Sequence, residues 1–252
     1  MIKLIIFDKD GVILDLSSTW FPVLSAVAEY TISRLPASST GRVTTNDLLA
    51  SVGVDEASGK VDRTGVFARD LFAATHSVWQ PLLPTSALDL RTDPDYQAKI
   101  TELILHLVRG KSYPNGNIMV PLKNLHSAGF GLALLTNDNE VSAQQNLVDL
   151  NVDNMFSPVV GADSGYGMKP EPGGLLHCCS ANGVEPAETI MVGDTITDYL
   201  VAKAAGAADF ICIADDVALR PDPSVKPENV IPSLEKLPEL LRRRGDTLLI
   251  KK

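Results

Sequence analysis

Four of the aspartates stand in two tight groups. Asp8 and Asp10 flank Lys9 and precede Gly11, while Asp194 and Asp198 share the segment Gly193-Asp194-Thr195-Ile196-Thr197-Asp198. Each group directly follows a short apolar run, and so does a third polar pair, Thr136-Asn137. Carboxylates gathered from separate segments repel one another unless a cation compensates them, and hard oxygen ligands favour Mg2+. The chemistry these residues suit is that of a divalent cation held by aspartates. Taken singly, each piece is ordinary: Asp-x-Asp-Gly is common in turns, and Thr-Asn or Gly-Asp-Thr after a strand can cap a helix. The combination is harder to dismiss, because all three groups end apolar runs of one chain, with Lys169-Pro170 between the second and third.

The elements that must position them follow from hydrophobic pattern. Runs at 2–7, 131–135, 189–193 and 210–214 are largely apolar and read as buried parallel strands. Helical spacing at 120–128, 141–150, 174–182 and 197–205 separates them, so the fold class is α/β, a Rossmann-like doubly wound parallel sheet. In such a sheet ligands bind beyond the carboxyl ends of the strands, which is where the aspartates fall. Residues 16–111 lack convincing strands and carry helical periodicity at 20–35, 44–52, 65–79 and 95–108, joined by loops at 36–41 and 84–94. The predicted division is a core of 1–15 with 112–252 and an inserted helical domain of 16–111. A capped helix is expected over 233–244, with Arg242, Arg243 and Arg244 suited to its last turn.

Composition excludes several function classes. The 252 residues are 45% hydrophobic and 21% charged, a globular balance, with 22 Lys+Arg against 31 Asp+Glu for a net charge of -9. That balance argues against a nucleic-acid surface, since such affinity comes from Lys and Arg releasing counterions. The three cysteines, Cys178, Cys179 and Cys212, have no metal-ligand spacing, and no apolar run is long enough for a secretory signal or a bilayer span. The expectation is a cytoplasmic protein with no membrane association.

These motifs resemble those of the haloacid dehalogenase superfamily of aspartate-nucleophile phosphotransferases. Asp8-Lys9-Asp10-Gly11-Val12, Leu134-Leu135-Thr136-Asn137, Lys169-Pro170-Glu171-Pro172 and Gly193-Asp194-Thr195-Ile196-Thr197-Asp198 match its four motifs in order, and the insertion sits where that family places a helical cap. The resemblance implies that Asp8 is the nucleophile that becomes an aspartyl-phosphate and that Asp10 is the acid and base. It implies Mg2+ held by Asp8, Asp194 and the Asp10 carbonyl, with Asp198 as a further ligand or an outer partner. Thr136, the N–H groups of Lys9, Gly11 and Asn137, and the Lys169 ammonium would meet the phosphoryl group. The Lys169-Pro-Glu-Pro motif and residues 231–238 are most similar to the phosphoglycolate-phosphatase branch. The expected partner is a small phosphorylated metabolite, with phosphoglycolate the first candidate, acted on by a monomer or homodimer. A phosphosugar mutase and a catalytically silent binding protein are the alternatives.

Two residues depart from the family pattern. Lys9 replaces a usually apolar residue; its side chain is expected to point away from the nucleophile and be inert, since alternate residues of an extended segment face opposite ways, with contact to a neighbouring anionic group as the alternative, and Val12 replaces a frequent Thr. Asp10 favours phosphoryl transfer over dehalogenation, and Lys60, expected in an exposed loop, argues against a phosphonatase. Trp20, Phe21, Arg34, Arg42, Arg63 and Arg69 are candidates for selecting the substrate, with a packed helix face or solvated arginines as the plainer reading. Asp15, Thr195 and Thr197 are expected to cap, Asp215 and Asp216 to lie in a surface loop, and His76, His106, His126 and His177 to be solvated or packed.

Overall fold

The computed structural model describes residues 1–39, 41–62, 65–84, 88–108 and 111–245. Its contacts divide the chain into two compact units, Met1–Asp15 with Tyr113–Lys252, and Leu16–Ser112. The first strand, β1 (Leu4–Phe7), is buried at every residue. The chain then enters the second unit through α1 (Leu16–Ser33) and α2 (Thr45–Ser51), whose N-terminus is closed by reciprocal hydrogen bonds of Thr44 and Asp47. A two-residue antiparallel pair, β2 (Val54–Asp55) and β3 (Lys60–Val61), comes next, followed by α3 (Val66–Trp79) and α4 (Pro94–Val108).

The inward stripe of α1, Trp20, Val23, Leu24 and Val27, packs with Leu48, Phe67, Trp79, Tyr96 and Ile100 into one core. Polar tips inside it find partners. The Trp79 Nε1–H donates to the Leu48 carbonyl at 2.8 Å, and the Thr31 and Tyr96 hydroxyls meet at 2.7 Å. The β2–β3 pair corrects the expectation of an insertion without strands: two residues are too few to register as a period of two.

Back in the first unit, α5 (Met119–Ser127), β4 (Gly131–Leu135), α6 (Glu140–Asp149), β5 (Phe156–Val160), α7 (Gly173–Ala181), β6 (Thr189–Gly193), α8 (Ile196–Ala205), β7 (Asp209–Ile213), β8 (Val230–Ile231) and α9 (Leu237–Arg244) follow in order. The six strands of this sheet run parallel in the order β5-β4-β1-β6-β7-β8. This is the doubly wound sheet that the pattern predicts. Residues alternate between two cores, Ile5, Phe7, Leu132 and Leu134 on one face and Leu4, Ile6, Ala133 and Met191 on the other. Both faces are covered, which is why β1 is apolar throughout.

Two strands escape the sequence reading. β5 contains Pro158, which cannot donate to a ladder and so argues against a strand, yet β5 lies at the sheet's edge, where proline is tolerated. β8, at the opposite edge, has only two residues. Registration matters more for the site: Phe7 is paired with Leu134 on one side and Val192 on the other, so β1, β4 and β6 end within one residue of level. Among the described residues, no helix is long and apolar enough to cross a membrane. Replacing Ile5, buried between β4 and β6, by Ala removes methylenes that the sheet cannot close over, with an expected loss of about 2–5 kcal/mol in urea unfolding.

Candidate active site

Asp8, Thr136 and Asp194 are each the first residue past their strands, β1, β4 and β6. The nearly level strand ends bring them together at the carboxyl edge of the sheet. After Asp8, whose N–H still donates to the Val192 carbonyl at 2.9 Å, the chain turns at once. Ile13 and Leu14 both donate to the Lys9 carbonyl at 2.9 Å, and the Gly11 N–H closes on the Leu14 carbonyl at 2.8 Å. Asn115 braces this turn from across the chain, its side-chain amide donating to the Gly11 carbonyl at 2.6 Å and its backbone N–H to the Ile13 carbonyl at 2.9 Å. Gly11 is required there twice over. Its φ of +80° is disfavoured for side chains, and a Cβ would run into the Asp194 carboxylate.

Three buried carboxylates, Asp8, Asp194 and Asp198, present oxygens that all lie within 4.8 Å of one another. One ammonium enters the group. Lys169 Nζ donates to Asp8 Oδ1 and to Asp198 Oδ1, each at 2.6 Å. Asp198 Oδ2 accepts from the Thr195 hydroxyl at 2.6 Å, the Thr195 N–H at 3.0 Å and the Asp194 N–H at 3.3 Å, so Asp198 closes the N-terminus of α8 and anchors Lys169 at once. Asn137 fixes the other end of Lys169, accepting its N–H at 2.8 Å and donating to its carbonyl at 3.1 Å. Asp8 Oδ1 also accepts the Lys9 N–H at 2.7 Å, and among the described residues no donor engages Oδ2.

The charges follow from this packing. Burial, then the charge of Asp198, push the Asp8 carboxyl up to about 7 against the pull of Lys169. Burial alone would lower the Lys169 ammonium, but Asp198 and Asp8 outweigh it and hold it well above its ordinary value. Three carboxylates against one ammonium leave a formal deficit of two positive charges in a buried space. An all-oxygen donor set of that charge, beside a glycine where a Cβ would collide with the Asp194 carboxylate, fits a hard divalent cation such as Mg2+.

Thr136 is buried at this edge, its N–H bonded to the Val160 carbonyl at 2.9 Å and its hydroxyl oxygen accepting the Asp138 N–H at 3.1 Å. That acceptance leaves the hydroxyl proton to be donated elsewhere. Lys9 corrects the expectation of an inert side chain. It is 1% exposed and its Nζ reaches Asp138 Oδ2 at 2.6 Å, Asn146 Oδ1 at 3.1 Å and Asp10 Oδ2 at 3.2 Å. Its side chain engages these groups rather than Asp8, so the inertness fails and the alternative of a neighbouring anionic group holds. The N–H groups of Lys9 and Gly11, expected to face a phosphate, are instead donated to Asp8 and to Leu14. Val12 is fully buried core. The Asp10 carboxylate, 14% exposed, stands outside the cluster of three.

The remaining candidates disperse. Trp20 is core, edge-on to Phe67 at 5.7 Å, Phe21 lies against Gly59, Arg34 pairs with Asp93 at 3.8 Å, and Arg42 and Lys60 are exposed, the latter on β3 rather than in a loop. Arg63 and the Arg69 side chain lie outside the described residues. Thr195 caps α8, Asp215 and Asp216 are exposed, and the Asp15 N–H donates to the Tyr113 carbonyl at 2.8 Å. His76 is packed and its imidazole is lowered to about 4 by burial and Arg91, His106 and His126 are exposed, and His177 stacks on Tyr166. Sequence reasoning missed Asn115, Asp138 and Asn146 and the side-chain clamp of Asn137. Only Asp138, directly after Thr136-Asn137, carried even a positional signal.

Because the folded pKa of Asp8 is raised, its ionisation opposes folding. The penalty is absent at pH values below the ordinary carboxylate pKa of 3.8, grows as pH rises, and is complete above about 7. Asp8→Asn is therefore expected to raise the melting temperature in a chelator at pH 8, by roughly a few degrees, and to leave it unchanged near pH 3. A lower melting temperature at pH 8 would refute this account of the charge.

Residues 2–206 match the model of the haloacid dehalogenase-like hydrolases. A phosphoglycolate phosphatase of Neisseria meningitidis is 36% identical over 121 residues, 47% of this chain and 52% of that protein, so the match spans about half of that relative's length. One of Vibrio parahaemolyticus is 28% identical over 241 residues, 95% of this chain and 96% of the relative. The crystal structure of a predicted phosphoglycolate phosphatase from Haemophilus somnus superposes with a TM-score of 0.65 at 20% identity, over 95% of this chain and 97% of that one, a likeness of fold. By the reach of the family model over most of its length, this chain belongs to the haloacid dehalogenase-like hydrolase family.

Proposed function

We propose that the protein is a Mg2+-dependent phosphatase that hydrolyses a small phosphomonoester through an aspartyl-phosphate on Asp8, with phosphoglycolate as the first candidate substrate. The observation that carries this reading is Lys169 Nζ bridging Asp8 Oδ1 and Asp198 Oδ1 beside Asp194. A carboxylate oriented by one oxygen has the other free of protein donors and directed by its partner's bonds, which suits an attacking atom. The names of the relatives support the substrate class.

In this reading Asp8 Oδ2 forms a bond to phosphorus as the bond to the leaving oxygen breaks, and Asp10 gives that oxygen its proton. Asp10 then takes a proton from the water that hydrolyses the aspartyl-phosphate, releasing phosphate and restoring Asp8. The Lys169 ammonium and the Thr136 hydroxyl face the charge that develops on the phosphoryl oxygens. Asp8 and Asp194 would hold Mg2+, which supplies positive charge against those oxygens. Asp198 fits the outer role, since both its oxygens already accept protein donors.

Phosphate release from a broad panel of phosphorylated metabolites, with and without Mg2+, tests the reading. Steady Mg2+-dependent release led by phosphoglycolate is expected, and Asp8→Asn should lower kcat by about a thousandfold or more, since an amide cannot form the acyl phosphate. Activity surviving Asp8→Asn would overturn the mechanism, and release from no ester would revive a silent binding protein. Turnover that requires a bisphosphate activator would identify a mutase.

A further inference from the structure

Lys9 is the buried charge that the proposed chemistry leaves unused. An ammonium has three N–H donors, and here three acceptors surround it: Asp138 Oδ2 at 2.6 Å, Asn146 Oδ1 at 3.1 Å and Asp10 Oδ2 at 3.2 Å. With the side chain 1% exposed and its donors directed at these oxygens, it is not disposed to bind a substrate anion. Its acceptors come from two places in the fold. Asp10 lies in the turn after β1, whereas Asp138 follows β4 and Asn146 is buried on α6.

Asp138 is itself fixed. Its other oxygen accepts the Asn139 N–H at 2.8 Å, and its own N–H donates to the Thr136 hydroxyl at 3.1 Å. The chain from Asp10 through Lys9 and Asp138 to Thr136 thus joins the proposed proton donor to the proposed phosphoryl contact. Proton transfer requires heavy atoms at about 2.6–3.2 Å, and a carboxylate that is partly open to water and placed on a turn needs something to hold it there. A buried ion pair contributes little net stability, so an apolar residue at position 9 facing an apolar residue at 138 would serve packing as well.

We propose that Lys9 is a positioning residue: its buried ammonium ties the Asp10 carboxylate to Asp138 and Asn146 and holds Asp10 where it can protonate the leaving alcohol. The proposal rests on reading Asp10 as the acid. It concerns the step in which the bond from phosphorus to the leaving oxygen breaks, because a poor leaving group needs that proton and a good one does not.

The test measures kcat/KM for phosphoglycolate, phenyl phosphate and p-nitrophenyl phosphate, in order of improving leaving group, on the wild type, Lys9→Met, Asp138→Asn and Asp10→Asn with saturating Mg2+. Lys9→Met is expected to lose about 10- to 100-fold on phosphoglycolate and less than about 3-fold on p-nitrophenyl phosphate, with Asp138→Asn following the same order more weakly. Near-ultraviolet circular dichroism and melting temperature establish folding, and Asp138→Asn, which keeps the ammonium, decides the matter if Lys9→Met does not fold. Equal losses on all three esters in the folded variants would overturn the proposal while a steep dependence in Asp10→Asn leaves the acid in place. A flat dependence in Asp10→Asn would overturn the acid assignment, and the proposal with it.

Discussion

The ammonium of Lys169 lies between two buried carboxylates, and most of the site can be understood as what is needed to keep it there. A single Asp8–Lys169 pair would satisfy both charges, yet Asp198 shares the lysine, and Asp194 adds a third acid to the group. Desolvation makes that excess costly, which is why Asp8 is pushed up to about 7 even with an ammonium at 2.6 Å. The arrangement persists because each member is held by bonds that are independent of its charge partner. Asn137 grips the backbone of Lys169, two N–H groups and a hydroxyl hold Asp198, and the Val192 carbonyl fixes Asp8 at the strand end. A network so over-determined stays in place when one charge changes, which is what the proposed phosphorylation of Asp8 would require.

The parallel sheet makes this possible at low conformational cost. Because β1 pairs in register with both β4 and β6, three residues distant in sequence are brought to one edge by backbone hydrogen bonds alone. The turn after β1 then has to be tight enough to let Asp194 approach, and Gly11 provides the space that any Cβ would occupy. Core packing on both faces fixes the strands, so the precision of the site derives from apolar burial as much as from the polar groups themselves.

What was legible in the sequence divides along physical lines. Strands buried on both faces announce themselves as apolar runs, and a run that stops at Asp8, Thr136 or Asp194 also announces its polar end. The helices of residues 16–112 were legible for the same reason, each burying a stripe at helical spacing. The edge strand β5 was hidden by Pro158 and β8 by its length, since both signals are local while edge status is a property of the whole sheet. The ion pair of Lys9 was not legible because Asp138 and Asn146 come from a distant part of the chain. Asn115, Asn137 and Asn146 were illegible, as an asparagine that braces a carbonyl or an ammonium looks in sequence like any asparagine in a turn or on a helix.

The two buried lysines divide the site electrostatically. On the Lys169 side, one ammonium pairs with Asp8 and Asp198 beside Asp194, all three buried, so little solvent reaches the excess charge. On the Lys9 side, one ammonium faces Asp10 and Asp138, a smaller excess, and Asp10 remains 14% exposed, so solvent can take up part of it. Interaction at a few ångströms in a low-dielectric interior far exceeds that in water, so the Mg2+ of the proposed function would be drawn to the first side rather than the second. In the proposed function Asp10, the carboxylate left outside, is the one that would exchange a proton with the leaving group or a water, and a cation on it would take away that capacity. On that reading, the separation of the cation's side from the proton's side would follow from where the two ammonium groups are buried, before any substrate enters.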